Sequence, residues 1–251
     1  DSSSAASDVY KRQIIARNEE RIIEDTLKSL SFVDEIVVVL DRSIDGTQKI
    51  CKKYTTKIFC GSWVCEGQRR NYGIRKCSSE WVLEIDADEI ISKSLKREIL
   101  KKKNYENFDY FYIKLLNFVG SQPIKFGWMA CMAPDGKFCF FKKKSKKWNK
   151  GLVHPGYSMN GKKGPVFENY IVHRMSNNIS DLVSRFNRNT SLYSLELRNQ
   201  KHLKKISLRK IISRFIKSFF SRKGYKGGKI GFLIAILNSI YPLVALIKSR
   251  E

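Results

Sequence analysis

The chain has 251 residues, enough to bury a real core as one α/β domain with an extension or as two small domains. Lysine and arginine outnumber aspartate and glutamate by 48 to 24, for a formal net charge of +24. That surplus calls for an anionic partner, whether nucleic acid, an anionic membrane or an acidic substrate, and excludes none of the three. The six cysteines, Cys51, Cys60, Cys65, Cys77, Cys131 and Cys139, form no Cys-x-x-Cys pair, and the three histidines lie far from them, so no zinc pattern appears. Reduced, mostly buried thiols in a cytosolic protein are the expectation.

Residues 1–13 are polar and small, then basic, and Asp8 to Gln13 looks like translated adapter sequence. They are set aside as a non-native or disordered tail. Ile14-Ile15-Ala16 reads as the end of a first buried strand. Asn18 is placed to cap a helix from Glu19 to about Leu30, with Glu19, Glu20 and Glu24 early in it, where the helix dipole favours acids. Ile36 to Leu40 is a β-branched run that suits a parallel strand buried on both faces. It ends in Asp41-Arg42-Ser43-Ile44-Asp45-Gly46-Thr47. A helix from Gln48 to Tyr54, a strand from Lys57 to Phe59 and a helix from Glu66 to Cys77 follow. This β-α alternation with short loops predicts a doubly wound, mostly parallel sheet.

Trp81 to Ile85 reads as the next buried strand. It delivers Asp86 and Asp88 to a strand end, with Glu89 beside them and a helix from Ser92. Open α/β sheets bind ligands outside the carboxyl ends of their strands. A divalent cation bridging phosphates asks for one or two carboxylates. The pair therefore reads either as a metal–diphosphate site or as an acidic turn capping the next helix. From Phe108 onward aromatic alternation and turn residues predict antiparallel strands and loops elaborating the sheet. Ser180 to Leu197 reads as a helix. Ile206 to Phe220 has apolar residues at helical spacing with basic residues between them and no acid from His202 to Lys223. Such a helix suits an anionic membrane surface, or else packs on the core with a solvated basic face. Ile230 to Ile247 is apolar but interrupted by Asn238, Ser239 and Pro242, which predicts an interfacial or packed hairpin rather than a membrane span.

Three segments resemble family 2 glycosyltransferases with a GT-A fold: Ile14-Ile15-Ala16-Arg17-Asn18-Glu19-Glu20, Val39-Leu40-Asp41-Arg42-Ser43-Ile44-Asp45-Gly46-Thr47, and Leu83-Glu84-Ile85-Asp86-Ala87-Asp88-Glu89. Trp63, Gln68, Arg70, Asn71, Tyr72, Gly127-Trp128, Pro134-Asp135, His154, Arg222-Lys223-Gly224, Gly227-Gly228 and Tyr241 resemble the lipopolysaccharide core glucosyltransferase subgroup. Pro155 and Cys139 depart from it, standing where Glu and Arg are usual.

The resemblance implies a Rossmann-like GT-A domain over residues 14–178, and the basic amphipathic pattern after it predicts a basic, membrane-associating helical extension over 179–251. It implies an inverting, metal-dependent transfer of a hexose from a nucleotide-sugar, expected to be a UDP-sugar. Asn18, Glu19, Asp41, Arg70 and Asp86 are the expected nucleotide-sugar residues. Asp88 is the expected ligand of Mg2+ or Mn2+ and counts with Asp135, the candidate general base, as catalytic. Trp128 and His154 are candidates for acceptor or phosphate. The expected acceptor is an anionic lipopolysaccharide-core or other lipid-linked glycan at the cytoplasmic face of the membrane. The nearer alternative is transfer to polyprenyl phosphate or another surface polymer. The alternative of another class is a non-catalytic basic module. No nucleic-acid-binding signature accompanies the charge, so no nucleic-acid partner is expected.

Overall fold

The computed structural model describes residues 11–101, 105, 107–151, 155–198 and 207–251, so residues 1–10 and His154 fall outside them. In chain order the elements are β1 (Lys11–Ala16), α1 (Ile23–Ser29), β2 (Glu35–Asp41), α2 (Thr47–Cys51), β3 (Ile58–Gly61) and α3 (Glu66–Lys76). Then come β4 (Trp81–Asp86), β5 (Glu89–Ile91), α4 (Lys93–Lys101), β6 (Tyr110–Val119), β7 (Gln122–Ile124), β8 (Gly136–Lys142), β9 (Lys146–Trp148) and β10 (Tyr157–Met159). The last are β11 (Tyr170–Ser176), α5 (Ile179–Arg198), α6 (Leu208–Ile216), a π-turn (Lys217–Ser221), a 3-10 turn (Gly224–Gly227) and α7 (Gly228–Lys248). Two compact units share these elements. The first comprises residues up to Lys114, Phe138–Lys150 and Gly156–Ile171; the second comprises Leu115–Lys137, Gly151–Pro155 and Val172–Glu251. The units do not divide at residue 178.

The first unit is the α/β body that the sequence pattern predicts. Its strands run β3-β2-β1-β4-β8. The first four are parallel and β8 is antiparallel to β4. Every residue of β2 is buried, as a β-branched strand covered on both faces requires. The first strand reaches back to Lys11, so part of the stretch set aside as a tail belongs to the sheet. Gln13 is buried there, and its amide donates to the Arg70 carbonyl at 2.9 Å. Gly73 of α3 lies so close to Gln13 that a Cβ would meet the amide nitrogen at 2.5 Å. Trp81 stacks on Phe140 with ring centroids 4.8 Å apart, and Tyr105, Phe111 and Phe167 complete that aromatic layer. The six cysteines are free thiols.

In the second unit β6 and β7 form a hairpin that turns at Gly120, whose φ of +60° suits glycine. The core there gathers Trp128, Met132, Leu182, Phe186, Ile234, Leu237 and Tyr241. In place of the expected hairpin, α7 is one continuous helix with Pro242 inside it. Proline has no N–H for the carbonyl four residues back. That carbonyl belongs to Asn238, and the Arg214 Nε donates to it at 2.9 Å instead. A side chain from α6 thus replaces the missing backbone donor. Together with its 3-10 lead-in, this helix spans Gly224–Lys248, long and apolar enough to cross a membrane, with half of its most apolar stretch buried inside the structure.

This substitution of donors is testable. Arg214→Met should destabilise the protein by about 1–3 kcal/mol, the cost of an unsatisfied buried carbonyl. In a Pro242→Ala background, which restores the backbone donor, the same change should cost measurably less in urea unfolding.

Candidate active site

Parallel order brings three loops to one edge of the first unit's sheet. β1 lies between β2 and β4, with Ala16 opposite Leu40 and Ile15 opposite Asp86. Asp41, one residue beyond Leu40, and Asp86 therefore end the two strands that flank β1, with Asp41 two residues further along the sheet. Two inter-strand spacings and two residues of strand rise put them about 12 Å apart in backbone terms. Asn18 and Glu19 follow the end of the strand between them.

Asn18 does not cap α1. Its φ is +56°, and its side-chain oxygen accepts the Ile44 N–H at 2.9 Å while its own N–H donates to Ser43 Oγ at 3.2 Å. The chain from 19 to 22 is a turn whose Glu19 carbonyl accepts the Ile22 and Ile23 N–H groups, so α1 starts later than periodicity suggests. The Glu19 N–H donates to Thr47 Oγ1 at 2.8 Å, and Glu20 accepts the Gly46 N–H at 2.6 Å. Asp45 accepts from Thr47 and from the Glu20 N–H. Burial pushes the Asp45 pKa up, but these hydrogen bonds outweigh it and hold the carboxyl below its ordinary value. Asp45 therefore serves the start of α2, as its Asp-Gly-Thr context suggests. The loops after β1 and β2 are laced into one wall.

Asp41 is buried behind that wall. Arg42, itself left-handed at φ +52°, folds back to donate from Nε at 2.9 Å and from Nη2 at 3.2 Å. Arg69 donates to the same carboxylate at 3.2 Å. Burial, followed by the charge of neighbouring Arg70, lowers the Arg69 pKa. The Arg69 Nε is a buried donor without a partner among the described residues.

Arg70 turns the other way. It pairs with Asp86 at 2.9 Å, with Glu84 at 3.1 Å and with Glu66 at 2.6 Å. Burial alone would lower its pKa, but Asp86, Glu66 and Glu84 raise it well above the usual guanidinium value. Glu84 is wholly buried in β4. Its carboxylate also accepts from the buried Lys146 ammonium at 3.3 Å and from the Trp148 indole at 2.9 Å. Lys146 gives a further hydrogen bond to the Phe138 carbonyl at 2.9 Å and lies 4.2 Å from the Trp148 ring centroid. Consecutive residues of α3 thus reach Asp41 and Asp86, and a buried Glu84–Lys146 pair stands behind the second of them.

The Asp86-Ala87-Asp88-Glu89 turn is ordered from within. Glu89 is buried and accepts the Asp86 N–H at 2.9 Å, while Thr26 Oγ1 donates to the Ala87 carbonyl at 2.7 Å. Asp86 and Asp88 remain partly exposed at its rim. No group of three or more His, Cys, Asp or Glu side chains among the described residues is arranged to hold a metal ion. Two rim carboxylates without a full cage fit a cation that takes its remaining ligands from a diphosphate and water.

The other predicted residues belong to the second unit. Asp135 is exposed and pairs with Arg222 at 3.4 Å. Trp128 is buried and donates its indole N–H to the Ile124 carbonyl at 2.8 Å, which makes it a core residue of that unit. Sequence reasoning passed over Arg69, Glu84 and Lys146. The visible signal was Glu84 itself, an acid in an apolar strand that demands a buried partner.

Residues 13–163 match the family model described as glycosyl transferase family 2. An uncharacterised glycosyltransferase of Rickettsia typhi is 27% identical over 256 residues, covering 95% of this chain and 85% of that protein. The lipopolysaccharide core biosynthesis glycosyltransferase LpsC of Rhizobium meliloti is 33% identical over 92 residues, 35% of this chain and 34% of that protein. Among solved structures, S. aureus TarS residues 1–349 give a TM-score of 0.47 at 17% identity, covering 96% of this chain and 88% of that one.

The buried charges make an ordered prediction. Glu84→Gln removes the shared partner of Arg70 and Lys146 and should cost about 3–5 kcal/mol in chemical denaturation. Lys146→Met leaves Glu84 with Arg70 and Trp148 and should cost less.

Proposed function

The chain belongs to glycosyl transferase family 2, and from that footing we propose that it transfers a hexose from a nucleoside diphosphate sugar, with inversion, to a lipid-linked glycan. The observation that carries the proposal is the convergence of Asn18-Glu19, Asp41 and Asp86-Ala87-Asp88 on one edge of the sheet, backed by Arg69 and Arg70.

Each residue has a role suited to its surroundings. Asp41 is a buried acceptor and matches an N–H on the edge of a uracil base. Arg42 now covers part of that carboxylate and is the donor such a base would displace. The orphan Nε of Arg69 suits an oxygen of the nucleotide. Arg70, occupied by three carboxylates, holds Asp86 in position rather than clamping phosphate. Asp86 faces the ribose and phosphate side, with Glu19 beside the nucleoside. Asp88 would hold Mg2+ or Mn2+, with Asp86 next to it. When bound, such a cation supplies Lewis-acid stabilisation of the negative charge that develops on the departing diphosphate.

The transfer forms a bond between an acceptor hydroxyl oxygen and the anomeric carbon as the bond to the diphosphate breaks. The hydroxyl proton goes to a carboxylate, for which Asp135 is our candidate. Its exposed side chain supports the assignment. The partial likeness to a lipopolysaccharide core enzyme favours a lipopolysaccharide-type acceptor. That acceptor places the enzyme at the cytoplasmic face of a membrane, and the basic C-terminal helices support contact with it.

UDP and Mn2+ together should raise Tm by more than the sum of their separate effects. Asp88→Asn should abolish that joint rise; a variant that keeps it removes Asp88 from the metal site. Asp135→Asn should lower kcat by about 10²–10⁴-fold, the usual worth of a general base, with the UDP-dependent Tm rise intact. Unchanged turnover assigns the base elsewhere.

A further inference from the structure

We propose that the second unit docks on the surface of a bilayer carrying anionic headgroups through one side of α6 and its π-turn, formed by Leu208, Ile212, Ile216 and Phe220. This rests on the membrane-face reading above and names the surface that makes the contact.

α6 buries none of its residues. At about 100° per residue, Ile211, Arg214 and Phe215 fall on one side. Arg214 is tied to the Asn238 carbonyl, and Phe215 lies 5.4 Å from Phe219 and 5.8 Å from Phe232 between ring centroids. The solvent side divides into two adjacent sectors. One holds Leu208, Ile212 and Ile216, spaced four apart and 71%, 51% and 47% exposed. The other holds Arg209, Lys210, Ser213 and Lys217, all exposed. A repeat of four drifts by about 40° per step on an α-helix. The wider π-turn at Lys217–Ser221 takes up that drift, and Phe220, 57% exposed, continues the apolar row. Phe219 joins Phe220, Tyr225 and Phe232 into one aromatic patch, with centroid separations of 5.1, 6.3 and 5.7 Å.

The surrounding charge identifies the occupant. No acidic residue occurs between Glu196 and Glu251. Lys223, Lys226 and Lys229 stand exposed beyond the π-turn. A second copy of the chain would bring the same positive field and be repelled. Nucleic acid would satisfy the lysines but leave the aliphatic row in water. An anionic bilayer takes both, the row entering the headgroup and acyl boundary and the lysines meeting the phosphates. Surface contact is favoured over a span. Among the described residues, the one helix apolar enough to cross has Ile234, Leu237, Tyr241 and Ala245 in the unit's interior, and crossing would strip that core of them.

The full chain is floated with vesicles of phosphatidylcholine alone and of phosphatidylcholine with phosphatidylglycerol, and UDP–Mn2+ Tm rises are recorded alongside. Binding should require phosphatidylglycerol and weaken with salt. The pair Ile212→Ser and Phe220→Ser, and separately the set Lys210→Gln, Lys217→Gln and Lys229→Gln, should each weaken it on the order of tenfold or more, with Tm and its nucleotide-dependent rise unchanged. Equal flotation of either variant overturns the proposal, as does equal binding to neutral vesicles. Retention through a high-salt and alkaline wash indicates an inserted helix and also overturns it. So does a dimer, seen by light scattering, that the Ser pair dissociates without loss of flotation. A missing nucleotide response in the parent chain counts against the transferase site, while flotation still decides the docking surface.

Discussion

The first unit depends on a charge cluster that the sheet cannot avoid burying. Glu84 lies in the middle of β4 with no exposure, so its carboxylate needs charged partners or a large desolvation penalty goes uncompensated. Arg70 from α3, Lys146 from β9 and the Trp148 indole supply them. Arg70 in turn needs more than one carboxylate, and Asp86 and Glu66 complete its set. A buried pair of this kind adds little stability over an apolar core of equal volume, but it accepts only one arrangement of α3, β4 and β9. Gly67 adds to that fit, since a Cβ there would meet the Asn149 carbonyl at 1.8 Å. The geometry of Asp86, two residues along the strand from Glu84, follows from the cluster.

Arg69 and Arg70 show how one helix serves two strand ends. Successive helical residues point about 100° apart, so one guanidinium reaches Asp41 at the end of β2 and the next reaches Asp86 at the end of β4. Their mutual repulsion contributes to the lowered Arg69 pKa, second to burial. Glu66, then Asp41 and Asp86, offset it in part. The same arrangement leaves the two arginines unequal. Arg70 is saturated, whereas Arg69 keeps an unpaired buried donor among the described residues. A nucleotide that met this edge would find Arg69 receptive and Arg70 structural.

The parallel strands were legible in the sequence because a β-branched run such as Ile36 to Leu40 states its own burial. The acids at the strand ends were legible for the same reason, since each follows such a run directly. Two things were not. The first was which arginine of an adjacent pair faces which acid, because that depends on the rotation of α3 and not on spacing. The second was the conformation of the loops. Asn18 has the residue type of a helix cap, yet its left-handed backbone sends the side chain across to Ile44, a partner twenty-six positions away. Pro242 misled in the opposite direction. It looked like a break, but Arg214 replaces the hydrogen bond it removes and the helix continues.

Asn238 extends that last point. A polar residue inside an apolar run suggests a turn or a pore when read locally. Here its side-chain amide donates to the Gly127 carbonyl and to Ser218 Oγ, both at 3.0 Å, while its backbone carbonyl accepts from Arg214 Nε. Gly127 and Gly224 lie close enough that a Cβ on Gly127 would meet the Gly224 Cα at 2.9 Å. One buried amide therefore fixes the loop at Gly127, the π-turn and α7 against one another. With α6 held from its inner side by Arg214, its outer side is released from any packing duty. A surface helix free of packing duty has no structural reason to keep Leu208, Ile212 and Ile216 in a row. Their exposure beside an acid-free run of lysines suits an apolar and anionic partner outside the fold.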